Sequence, residues 1–194
     1  QPQVMSEAEH SAGMQGHHWT RAQALRTPLF WLVVPLLLGP PAFNTAFFFQ
    51  QAHIAEVKSW THLALVALFP IYTAASIAAV LLSGAAVDRF GTARLMALYQ
   101  LPLGLFFLVF GTVETLIFAA PMIILMGVTS GAQATVPMAF WAEFFGTRYL
   151  GSIKATAAAL MVFGSALGPA ISGWFIDHGV SFPAQMGAIA LYIA

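Results

Sequence analysis

Gly84–Arg94, GAAVDRFGTAR, sets three charged residues, Asp88, Arg89 and Arg94, between two long apolar runs. The whole chain of 194 residues holds only seven Lys/Arg and seven Asp/Glu, 7% of the total, against 59% hydrophobic. Ordinary soluble domains are about one quarter charged, so this chain has too little polar surface to cover a core in water. Outward from the hinge, apolar runs of about twenty residues recur, the length that crosses a bilayer as helix. The expected fold is an all-α membrane protein. A net charge of zero offers no basic face for nucleic acid, and the absence of cysteine leaves no disulfide or thiolate metal site.

Spans are expected at about 28–50, 63–86, 94–111, 116–142 and 152–176, with a sixth, about 184–194, cut short. The chain begins at Gln1 and stops inside that last apolar run, so it is expected to be a fragment. Pro35 and the triplet Gly39-Pro40-Pro41 interrupt the first span, and proline inside a helix removes a donor and kinks it. Lys58 and a loop with His53, Glu56, Trp60 and His62 follow. Residues 1–27 are polar and read as a flexible loop; His10, His17 and His18 lack a carboxylate or cysteine partner and read as solvated, not as a metal site.

Positive charge alternates between successive connections. Arg21 and Arg26 precede the first span, Lys58 follows it, Arg89 and Arg94 occupy the hinge, and Arg148 and Lys154 follow the fourth span. The even-numbered connections carry almost all of it, which puts the N-terminal segment and the hinge in the cytoplasm.

In hydrocarbon every polar side chain needs a partner or a cavity. The polar residues nearest mid-span are Asn44, Tyr72, Thr73, Ser76, Thr129, Ser130, Gln133 and Ser165. Serine and threonine can bond back to their own helix, so Asn44 and Gln133 are the costliest to hide. Tyr72 and Ser76, like Thr129 and Gln133, are four apart and share a helix face. The cavity candidates are Asn44, Tyr72, Ser76, Thr129 and Gln133. Gly164, Gly168 and Gly173 line one side of the fifth span, with Pro169 adding a kink, and read as helix-packing positions. Asp88 can accept from Arg94 or from the free N–H groups that open the third span, and Arg89 can reach a carboxylate such as Glu143.

The hinge resembles a family signature. Gly84, Asp88, Arg89, Gly91 and Arg94 match the Gly-x-x-x-Asp-Arg-x-Gly-x-x-Arg loop of the major facilitator superfamily, which joins the second and third helices of each six-helix half. Thr92 and Ala93 stand where the family carries a further basic residue. Trp19–Thr27 resembles the end of the central loop between the halves. Ala142–Asp177, which contains Glu143, Arg148 and the Gly164–Gly173 motif, is similar to the tenth and eleventh helices of bacterial oxalate/formate and monocarboxylate carriers.

The resemblance implies half of a 6+6 helix bundle: residues 1–27 end the central loop, and 28–194 form the C-terminal transmembrane half, set in a bacterial inner membrane. It implies secondary active transport of a small solute by alternating access, with an organic acid favoured, and a signature loop that gates. The partners would be the bilayer, the substrate and an N-terminal half. No cofactor is expected beyond a coupling ion, H+ or Na+. Efflux of a neutral or cationic compound and a non-transporting membrane sensor are the alternatives. No nucleophile–base pair, metal set or phosphate loop marks an enzyme.

Overall fold

The computed structural model describes residues 10–194; residues 1–9, which belong to the expected 1–27 loop segment, lie outside them. The remainder of that segment holds a turn and a short helix and is not wholly irregular. A 3-10 turn at Met14–Gly16 precedes a short helix α1 (Arg21–Ala24), whose N-terminus carries a capping box between Thr20 and Gln23. Trp19 and Met14 bury against the apolar cluster at this end of the bundle.

Thr27 caps the next helix by accepting from Phe30 N, and Pro28 occupies its first turn, where no donor is lost. This helix, α2 (Pro28–Phe49), runs unbroken through Pro35, Pro40 and Pro41. At Pro40 the carbonyl left without its helical donor finds donors in another span. Pro40 cannot bond the Leu36 carbonyl; Tyr99 Oη donates to it at 3.0 Å, and Gln100 Nε2 donates to it as well. A further interhelical bond runs from Tyr192 Oη to the Pro35 carbonyl at 2.9 Å. Twenty-two residues rise about 33 Å, enough for a hydrocarbon core of about 30 Å.

The expected loop after α2 contains a helix, α3 (Gln51–Val57), and a short helix α4 (His62–Val66) opens the expected second span. Glu56 and His62 face outward while Ile54, Ala55 and Leu65 bury in the core. Helix α5 (Phe69–Phe90) ends four residues beyond the expected boundary, so Asp88 and Arg89 belong to its last turn and not to a loop. A cation is favourable at a helix C-terminus, and Gly91 makes the stop at φ 80°, ψ 154°. That region is essentially closed to other residues.

The third span is two helices, α6 (Thr92–Leu98) and α7 (Leu101–Phe110), parted at Tyr99-Gln100 with Pro102 opening the second. The fourth is α8 (Leu116–Phe145), the fifth α9 (Leu150–Asp177), and a shorter apolar helix α10 (Phe182–Ile193) follows. Gly146 ends α8 at φ 80°, ψ 168°, the same backbone conformation as Gly91. The local sequences agree too: Asp88-Arg89-Phe90-Gly91-Thr92 and Glu143-Phe144-Phe145-Gly146-Thr147.

Among the described residues, five helical segments are long and apolar enough to cross a membrane. The two most extensive helix contacts pair α5 with α8 and α2 with α9. Lipid tails give no hydrophobic drive to pack helices, so close backbone approach through small residues takes over. Cβ atoms added at Gly127 and Gly131 of α8 would lie 2.5 Å from the Tyr72 carbonyl and 2.2 Å from that of Ser76, on α5. Gly168 of α9 would meet the Ala42 carbonyl of α2 at 1.9 Å. Two apolar clusters fill the bundle. A phenylalanine-rich one gathers Phe47, Phe106, Phe107, Phe110 and Phe182. The other, around Phe30, Phe140, Trp141 and Phe145, lies at the end that carries the two glycine stops.

Candidate functional site

Asn44 lies one turn beyond Pro40-Pro41, on the side of α2 that faces α8. Its Nδ2 donates to Ser130 Oγ at 2.8 Å, joining two helices that otherwise touch little. The side chain is only 9% exposed, and Oδ1 is enclosed without a hydrogen-bond partner. Gln133, one turn further along α8, has its Nε2 enclosed and unpartnered in the same way. An unpaired buried polar group costs about 1–3 kcal/mol, and native structures contain few of them. Two uncharged amide groups, Asn44 on α2 and Gln133 one turn from its partner Ser130 on α8, are thus each left with an unpaired polar atom.

The other expected cavity residues are placed differently. Thr129 is fully buried and its Oγ1 donates to the Tyr99 carbonyl at 3.2 Å, at the break between α6 and α7. Tyr72 packs its ring edge-on against Phe48, centroids 5.3 Å apart, and its carbonyl with that of Ser76 faces the α8 glycines. Thr73 and Ser165 bond back to the carbonyls of Phe69 and Val162. An apolar cleft of about 430 Å³ lies between α2, α9 and α10, with Gly164, Gly168, Gln185 and Tyr192 in its walls. None of Asn44, Tyr72, Ser76, Thr129 and Gln133 lines it.

At the glycine-stop end, Glu143 does not pair with Arg89 as expected. Thr92 Oγ1, at the start of α6, donates to Glu143 Oε2. Arg89 lies over the ring of Phe90, 5.5 Å from its centroid. Nor does Asp88 cap the third span: no side chain caps α6, and Asp88 and Arg94 are both exposed. The backbone reverses at Gly91 within a single residue, which carries Asp88 away from the N–H groups it was expected to reach. Of the packing residues, Gly164 and Gly168 abut Leu38 and Ala42, while a Cβ at Gly173 would meet only Gln50 Nε2, at 3.6 Å. Gly84 faces open space.

Three interhelical anchors escaped the sequence reading. Tyr99 and Gln100 serve the Leu36 carbonyl; the signal for them is Pro40, which must leave an acceptor needing donors. Lys58 Nζ donates to the carbonyls of Gly111 (3.0 Å) and Val113 (2.6 Å) and sits 5.4 Å over the Trp60 ring, closing the turn after α7. Burial holds its ammonium below the usual lysine range, against the opposing pull of Glu114. His53 Nε2 accepts from Phe182 N and so caps α10. Among the described residues no group of three His, Cys, Asp or Glu could hold a metal.

Five membrane-length helices, packed through glycines and joined at mid-span by uncharged polar groups, define a polytopic α-helical membrane protein. The sequence model of the Major Facilitator Superfamily matches residues 36–194. The chain belongs to that superfamily, whose members are membrane transporters. No curated protein and no solved structure gives a match.

Proposed function

We propose that the chain is the C-terminal half of a secondary carrier that moves a small solute by alternating access, with its glycine-stop end in the cytoplasm. The observation that carries this reading is the pair of orphaned amide atoms, Asn44 Oδ1 and Gln133 Nε2, on α2 and α8, one helix from each of the two tightly packed pairs. An unsatisfied donor and acceptor at that depth suit a transient ligand, because a permanent structural role would have left them paired. The apolar windows of the α5 and α9 spans are only 11% and 17% buried within this bundle. Their free faces suit an N-terminal half, and carriers of this kind bind cargo between two halves.

The organic-acid substrate rests on the resemblance of Ala142–Asp177 to carboxylate carriers. A neutral cargo is the second reading, and one observation favours it: no Asp, Glu, Lys or Arg lies in the central half of any of the five spans. Flux through the full-length carrier in liposomes tests the proposal. Gln133→Ala and Asn44→Ala should each raise the apparent KM several-fold, and competition by an acid against its amide reports which cargo class binds. Absence of saturable flux would leave the sensor reading in its place. Asp88→Asn should lower flux while membrane insertion persists; unchanged flux would remove the signature residue from gating.

A further inference from the structure

Ser11–Trp19 crosses the turn between α8 and α9. Ser11 N donates to Thr147 Oγ1 at 2.9 Å, and Thr147 N returns a bond to the Ser11 carbonyl at 3.0 Å. Eight residues on, Trp19 N donates to the Phe145 carbonyl at 3.1 Å, and the Trp19 ring stands edge-on to Phe145. Between these fastenings the two backbones touch. A Cβ on Gly13 would lie 2.6 Å from Gly146 N and from the Phe144 carbonyl oxygen, and one on Gly146 would lie 2.9 Å from Gly13 N.

Gly13 is the informative residue. Its φ is −86°, which any residue adopts, so the backbone gives no reason for glycine there. Only the close approach to Gly146 requires it. The segment also has no slack on its other side. Trp19 leads directly into the Thr20 capping box, α1 and the Thr27 cap that starts α2, and Trp31 Nε1 ties that start back to the Leu25 carbonyl at 2.9 Å. The α8–α9 turn is therefore joined to the first turn of α2 by a short, bonded run of chain.

We infer that Ser11–Trp19 is a conformational strap: it locks the α8–α9 turn to the head of α2 in the state seen here, and it must leave Thr147 and Gly146 when those helices change their relative tilt. A rearrangement of the helices needs a bistable contact. Two glycines facing each other make one that closes tightly and leaves no side chain to bridge the gap once parted.

The role in transport rests on the carrier reading; the contact itself does not. Two experiments on the full-length protein separate them. Hydrogen exchange at the Thr147 amide reads the strap directly: Gly13→Val should speed it at least tenfold while the amides of α5 keep their protection. An unchanged Thr147 rate overturns the strap. The second uses Ser11→Cys with Thr147→Cys, at two residues that the Thr147 N to Ser11 carbonyl hydrogen bond brings side by side. With the crosslink verified by mass spectrometry, oxidation should cut flux at least tenfold and reduction restore it. Equal flux in the two states overturns the release step. Absence of flux in both states condemns the carrier reading, and the exchange rate still decides the strap.

Discussion

Gly168→Ala is the sharpest probe of how this bundle holds together. An added Cβ would lie 1.9 Å from the Ala42 carbonyl oxygen, and ordinary contact begins at 3.4 Å, so α9 and α2 must part there by 3.4 − 1.9 = 1.5 Å. The obstacle is backbone, which no rotamer change can move aside. Overpacking of this kind costs about 1–3 kcal/mol, and a gap of even ~1 Å forfeits up to half of the dispersion between the separated surfaces. Alanine also favours helix over glycine by about 1 kcal/mol, which would mask part of the loss. Gly187→Ala removes that ambiguity, because Gly187 is helical in α10 and nothing lies within 4 Å of its added Cβ. The propensity gain cancels between the two variants. Unfolding by SDS titration in mixed micelles should place Gly168→Ala below Gly187→Ala by about 3 kcal/mol, the upper end of the overpacking range. Equal stabilities would refute the argument that close approach at Gly168 holds α2 to α9.

The glycine stops separate strain from crowding. Gly91→Ala should cost about 1–3 kcal/mol from conformation alone, since its surroundings are open, whereas Gly146→Ala should cost more because Gly13 N and the Ser11 carbonyl crowd its Cβ; equal losses in the same titration would contradict this. Gln100→Leu removes one of two donors from the Leu36 carbonyl and should cost about 0.5–1.5 kcal/mol, the net worth of one hydrogen bond. Adding Tyr99→Phe should then cost more than it does alone, and strict additivity would argue against a shared acceptor. Lys58 has a pKa lowered by burial, so the folded protein sheds its proton before the unfolded chain does. The stability it confers accordingly rises with pH as the solution approaches 10.5, the ordinary lysine value. Melting temperatures of the native protein should climb over that range, and Lys58→Met should flatten the climb; an equal slope in both would assign the effect elsewhere.

The all-helical membrane fold was plain in the sequence because lipid imposes long apolar runs and tolerates few charges. Boundaries were less plain. Asp88 and Arg89 read as loop residues by charge, yet a helix crossing an interface can carry charge in its last turn, and the true stop is the backbone conformation of Gly91. The polar run after residue 50 hid α3 because only Ile54 and Ala55 turn inward. For the candidate site, Asn44 and Gln133 were legible as polar groups at mid-span. The roles of Thr92, Tyr99 and Lys58 were not, since each depends on a partner more than fifty residues away. One clue lay in plain view: the recurrence of Phe-Gly-Thr at residues 90–92 and 145–147 marks two reversals built alike.

The proline-freed carbonyl of Leu36 also bears on how the protein is made. Until Tyr99 and Gln100 are made, that carbonyl lacks the donors they provide, and each unsatisfied group in lipid costs several kcal/mol. Some fifty residues of chain must emerge before those donors exist. The first span is therefore expected to rest less stably in lipid before the third arrives than after it.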